Sequence, residues 1–264
     1  MSPRVTPRLW MAIPAVVVTL ALSIVIGPMI ASAIAPKGDF VAFGLIIIGF
    51  VLAVTLPVLA LLGWLRPVFF EQRRVRGILP TVLAFGPVLY IVYCIVSSKW
   101  DNIPIEGALV AIMFAAIAGI GEELAFRGVA VITLRARLSE VWVAVIPSVI
   151  FGLTHLTNLG RSGLATSEVL YQVFYAVLFG FSAYALRRVT GGLFIPILIH
   201  TLNNGFENIV DSSGGGPIAI LVDGAALPDI IFIGGLLLGT VAMILIVRDK
   251  TNDPGPLLAA PRIR

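Results

Sequence analysis

The chain has 264 residues, of which 59% are hydrophobic and 12% charged. Soluble domains carry about 25% charged residues, so an ordinary water-soluble fold is excluded, and Cys94 as the only cysteine rules out an internal disulfide framework. A net charge of +4 is compatible with a nucleic-acid partner, but the charges sit between long apolar runs, which argues for a membrane and against nucleic acid.

Arg8 to Lys37 encloses 28 uncharged residues, Asp39 to Arg66 26, and Arg76 to Lys99 22. Glu106 to Glu122 encloses only 15 and Glu140 to Arg161 20, while Glu168 to Arg187, Arg188 to Glu207 and Asp229 to Arg248 enclose 18 each. A bilayer core of about 30 Å needs about 20 apolar residues in helical form, so eight spans are predicted, the fourth of them short. Runs such as Leu45 to Ile48 lack the alternation of an outer-membrane barrel strand. The expected fold class is therefore all-α: a polytopic membrane bundle of about eight transmembrane helices enclosing an intramembrane polar cavity.

The same runs divide the chain. Residues 1–103 form an N-terminal three-span region, 104–210 a motif region with spans 4 to 7, 211–248 a loop and the last span, and 249–264 a short disordered tail. Arg4, Arg8, the apolar run and Ala31-Ser32-Ala33 resemble a cleavable signal peptide. The run is longer than a usual signal core, so it is read as span 1. No internal repeat supports an inverted-repeat transporter.

Loop cations set the orientation. The side holding the N-terminus, the loops after spans 2, 4 and 6, and the C-terminus carries 14 Lys and Arg, against Lys37, Lys99 and Arg161 on the other. Both termini are expected in the cytoplasm and the protein in the plasma membrane. The basic loop residues are assigned to this topology, with lipid headgroups as secondary contacts.

Several polar residues fall where a bilayer opposes them. Glu122, Glu123 and Arg127 end span 4, both histidines of the chain, His155 and His200, lie in spans 5 and 7, and Asn203 and Asn204 follow His200. Each ionisable group at mid-span costs about 2.5–3.5 kcal/mol, so a shared internal site is expected. Glu123 and Arg127 are one helical turn apart and form a structural pair. Glu122 points elsewhere and stays free. His200 and Asn204 share a face, and Phe151 sits one turn before His155, where its ring can pack beneath the imidazole. Glu207, at the edge of span 7, is expected to be solvated.

Hydrolysis suits this set. A desolvated carboxylate can act as general base toward water, with His155 orienting the same water. His200 and Asn204 can donate to a developing oxyanion.

Glu122-Glu123-Leu124-Ala125-Phe126-Arg127 reads EExxxR, Phe151 to His155 reads FxxxH, and His200 to Asn204 reads HxxxN. These three motifs, in this order on membrane spans, resemble the CPBP family of CAAX proteases and bacteriocin-processing enzymes, also called the Abi family, which includes the Ras-converting CAAX endopeptidase. The resemblance covers Gly107 to Ile209. It implies a glutamate-type intramembrane endopeptidase in which Glu122 and His155 activate water and His200 and Asn204 form the oxyanion site, with Glu123, Arg127 and Phe151 supporting. It also implies a peptide or protein substrate in the bilayer, for which prenylation is one option, and no cofactor.

Other readings use the same residues. Glu122, His155 and His200 offer a His₂Glu set for zinc, although HExxH is absent. Gly160-Arg161-Ser162-Gly163 matches the GxSG of rhomboid serine proteases but falls in a loop, where Gly and Ser are ordinary turn residues. A non-catalytic membrane-binding, immunity or regulatory protein is the alternative of another class.

Overall fold

The computed structural model describes residues 3–160, 164–213, 221–222 and 225–248. Arg161, Ser162 and Gly163 of the GxSG segment, Gly214 to Gly216 and the tail from Asp249 lie outside these residues.

The described chain is an all-α bundle. Its helical segments are α1 (Leu9–Ile34), α2 (Phe40–Leu62), α3 (Ile78–Ala84), α4 (Val88–Ser97), α5 (Ile105–Leu134), α6 (Glu140–Asn158), α7 (Thr166–Thr190), α8 (Phe194–Ser212) and α9 (Asp229–Arg248). Among the described residues, β structure is confined to one two-stranded ladder, Leu221–Val222 with Ala225–Ala226, and an isolated bridge between Phe70 and Gly192. Six of the helices are long and apolar enough to cross a membrane, and α3 with α4, bent by 40° at the break, makes a seventh. α8 is not among them, because it carries His200, Asn203, Asn204, Glu207 and Asp211. Six or seven spans thus stand among the described residues where eight were expected, the difference being the polar α8 and the broken α3–α4 pair. The chain is an integral membrane protein.

The expected short fourth span is corrected. α5 runs 30 residues, from Ile105 to Leu134, straight through the charged motif. The charge-free run ends at Glu122, but the helix does not, because the charges find partners inside the bundle. Leu124–Ala130 forms a π-helical segment within α5, and all seven of its residues are buried. Such insertions are rare and gather at functional sites.

Small residues bring the motif helices close. A methyl group on Gly119 would come within 2.7 Å of the Thr201 hydroxyl, and one on Gly205 within 2.5 Å of Ile112, so α5 and α8 approach backbone to backbone. α6 and α7 meet at Gly152 and Gly180 in the same way.

The turn after α7 and the segment after α2 lock together. Gly191 ends α7 at φ +89°, a left-handed conformation that favours glycine. Glu71 N–H donates to Gly191 O (2.9 Å), Leu193 N–H to Phe69 O (3.0 Å) and Val75 N–H to Arg188 O (2.9 Å).

This junction holds an ionic cluster that overturns the assignment of four arginines to topology alone. Arg73, Arg135, Arg187 and Arg188 are all buried. Glu71 receives Arg135 (2.7 Å) and Arg187 (2.8 Å). Glu140 receives Arg73 (2.7 Å), Arg135 (2.5 Å), Arg188 (2.8 Å) and the Tyr184 hydroxyl. Burial alone would raise the Glu71 carboxyl, but Arg135 and then Arg187 and Arg188 outweigh it, leaving its pKa far below the usual carboxylate range. Arg187 also donates to the backbone carbonyls of Val68 (2.7 Å), Pro67 (2.8 Å) and Arg127. The last contact ties the cluster to the π segment of the motif helix.

Candidate active site

α5 and α6 run antiparallel and are joined by the turn 135–139. Glu122 on α5 and His155 on α6 lie about 18 Å and about 23 Å from that turn, given 1.5 Å of rise per residue. Their levels in the bundle therefore agree to within about one helical turn. Continuation of α5 past Arg127 is what brings them level.

The Glu123–Arg127 pair forms as expected, with Arg127 Nη1 2.9 Å from Glu123 Oε1 and both side chains fully buried. The same carboxylate oxygen lies 3.0 Å from His200 Nδ1. A carboxylate paired with a guanidinium only accepts, so Nδ1 carries the hydrogen and donates to Glu123. Across the ring, His200 Nε2 faces Glu122 Oε2 at 3.5 Å. The imidazole thus straddles both carboxylates of the EE pair. Spacing along the chain foresaw the first contact of Glu123 and missed the second. Adjacent helix positions diverge by about 100°, so only a ring offering nitrogens on two edges can meet both, and the sequence does not say which ring.

His155 begins the 3₁₀ turn His155–Asn158 that ends α6. Its Nδ1 lies 3.1 Å from the carbonyl of Phe151. Since a carbonyl only accepts, Nδ1 donates, and a neutral ring then offers the lone pair of Nε2.

Phe151 packs edge-on against His155 (ring centroids 5.2 Å) and His200 (5.9 Å). The Arg127 guanidinium lies 4.5 Å from its centroid, a cation–π contact. Phe179 covers the other side of His200 at 4.7 Å. One apolar ring therefore fixes both histidines and the structural arginine.

A cavity of about 190 Å³ opens against these groups, lined by His155, His200, Asn203, Asn204, Phe151 and Phe179 among others. It brings together three of the four predicted catalytic side chains. Glu122, half-buried, reaches it through His200. Glu207 also lines the cavity and is half-buried, which corrects its assignment as a solvated residue. It sits two turns beyond His200 on the same face of α8, and that spacing was the signal available in the sequence.

Among the described residues, no group of three or more His, Cys, Asp or Glu side chains could hold a metal ion.

Residues 104–206 match the family model described as type II CAAX prenyl endopeptidase, Rce1-like. The matched segment contains all three motifs, so this part of the chain is similar to the family that the motifs resemble. It supports an intramembrane protease of the CAAX type in general terms. No curated protein and no solved structure matches the chain.

Proposed function

We propose that the Rce1-like segment is the catalytic core of an intramembrane endopeptidase, in which water activated by Glu122 and His155 attacks a peptide carbonyl and His200 and Asn204 hold the oxyanion. The observation that carries this reading is the position of the His200 ring, with Nδ1–H donated to Glu123 and Nε2 directed at Glu122 on the wall of a cavity shared with His155 and Asn204.

Proton accounting follows from those contacts. A bare carboxylate and a bare imidazole lone pair 3.5 Å apart repel, so one proton resides between Glu122 and His200. With the proton on Nε2, His200 is an imidazolium and Glu122 a carboxylate. Together with Glu123 and Arg127 the group then has zero net charge, which suits a low-dielectric interior. His200 Nε2–H and the Asn204 amide become donors to the oxyanion, while Glu122 and the Nε2 lone pair of His155 are acceptors for the water proton. Water oxygen bonds to the carbonyl carbon, its proton passes to this base pair, and the C–N bond breaks as the proton is returned to the leaving amine. No Ser or Cys nucleophile is required.

With α8 counted as an eighth traverse, both termini lie on one side, which we assign to the cytoplasm. Leaving out the four buried arginines and Arg127, ten Lys and Arg remain on that side against three on the other. The substrate is a peptide or protein within or beside the bilayer, and prenylation is one form it could take.

The test is turnover of a membrane-anchored peptide library by purified protein in liposomes. Wild type should cut and Glu122→Gln should not, with equal folded protein in both. Equal cutting by the two removes Glu122 from the chemistry.

A further inference from the structure

We infer that Glu207 is the specificity carboxylate of the cavity mouth, and that the substrate places a cationic side chain or amine against it close to the bond that is cut. The inference rests on the proteolytic reading above and gives it a substrate class. Glu207 lies one residue beyond the segment matched to the family model.

Position on α8 comes first. His200, Asn203, Asn204 and Glu207 follow a helical repeat of one face, and all four line the same cavity. Seven residues of helix rise about 10 Å, which is about three residues of an extended peptide. A substrate carbonyl held at His200 and Asn204 therefore has its neighbours, within about three residues on one side, alongside Glu207.

Charge comes second. Among the described residues the cavity wall contains no Lys or Arg, and no hydrogen bond or ion pair joins Glu207 to a protein cation. Asp211, one turn further along α8, is exposed and adds negative charge. Asp229 at the start of α9 accepts from the Tyr171 hydroxyl at 3.1 Å. Of the described cations assigned to this side, Lys37 and Lys99 are both exposed, and the Lys99 backbone N–H donates to Ser213 Oγ at 3.2 Å.

An independent observation points to a donor-bearing ligand. Asn203 is 3% exposed, lines the cavity, and its Oδ1 is buried with no protein partner among the described residues. Buried acceptors of this kind are costly unless a donor meets them. Tyr175 and Phe232, with ring centroids 5.0 Å apart, form an aromatic wall beside Glu207 that favours a cation over an anion.

The experiment measures binding, so that it does not depend on turnover. Lipid-anchored fluorescent peptides carry Lys, norleucine or Glu in turn at each of the three residues on either side of a central bond. They are titrated into nanodiscs holding Glu122→Gln or Glu122→Gln with Glu207→Gln. At one or more positions Lys should bind about three- to fivefold more tightly than norleucine in the first protein, the weight of one partly shielded ion pair, and Glu more weakly than norleucine. The preference should vanish in the second protein and shrink with added salt. Equal preference in both proteins, or none in the first, overturns the inference. If the Lys preference depends on Glu207 but wild type cuts none of these peptides, the proteolytic reading fails while the charge assignment stands.

Discussion

His200 Nδ1 and Glu123 Oε1, 77 positions apart in sequence, meet at 3.0 Å inside the bundle. Through this contact the pair that anchors the motif helix also orients a histidine in the cavity wall. Glu123 therefore has two partners, Arg127 and His200, and its loss should be felt in the chemistry as well as in the packing. Glu123→Gln should lower kcat by about 10–100-fold with KM little changed, as expected when the partner orienting a reactive group is removed. Steady-state kinetics in liposomes check this. A variant that loses folded protein but keeps kcat per folded molecule would reduce Glu123 to a structural role.

Asn204 shares the cavity with His200, and its amide is assigned to the oxyanion. Asn204→Ala should reduce turnover by about 10²–10³-fold, the usual effect of deleting one such donor. An unchanged rate would take Asn204 out of the site. Asn203→Ala should instead act mainly on KM, because its free oxygen is assigned to substrate binding.

The approach of α5 to α8 depends on Gly119, where an added methyl would meet the Thr201 hydroxyl at 2.7 Å. Gly119→Val should destabilise the protein by about 1–3 kcal/mol, the range for overpacking. It should also separate Glu122 and Glu123 from His200, so activity should fall further than stability explains. Thermal unfolding in detergent and turnover on the same samples distinguish the two effects.

The ionic cluster gives a pH-dependent test. The folded pKa of Glu71 is depressed, so its stabilising contribution is present above the unfolded carboxyl value of about 4.3 and is lost as pH falls toward the folded value. Wild type should therefore lose stability progressively below about pH 4, and Glu71→Gln should flatten that dependence by up to one proton. Glu71→Gln should also destabilise the protein by about 3–5 kcal/mol near neutral pH, because it leaves Arg135 and Arg187 without their shared carboxylate. Parallel pH dependences in the two proteins would contradict the assignment.

Much of this architecture is legible in the chain because lipid imposes a simple rule. Runs without charge become helices, and the three motifs fall on α5, α6 and α8 as their spacing implies. The reading fails where charges are satisfied inside the protein. α5 outruns its apolar stretch because Glu123 and Arg127 neutralise each other. Arg135, Arg187 and Arg188 look like topology signals because nothing local shows that Glu71 and Glu140 will receive them. α8 is too polar for a hydropathy rule because it supplies His200, Asn203, Asn204 and Glu207 to the cavity wall. In each case the deciding partner lies far away in sequence, and adjacency of helices cannot be derived from periodicity alone.

The most direct test of the central claim compares new protein termini in membranes of cells expressing wild type or Glu122→Gln at equal levels. The account expects termini that appear with wild type and are absent with the variant, which would demonstrate proteolysis and identify the substrate together. Identical sets of termini in the two membranes would contradict it and turn the shared cavity of His200, His155 and Asn204 toward a binding role.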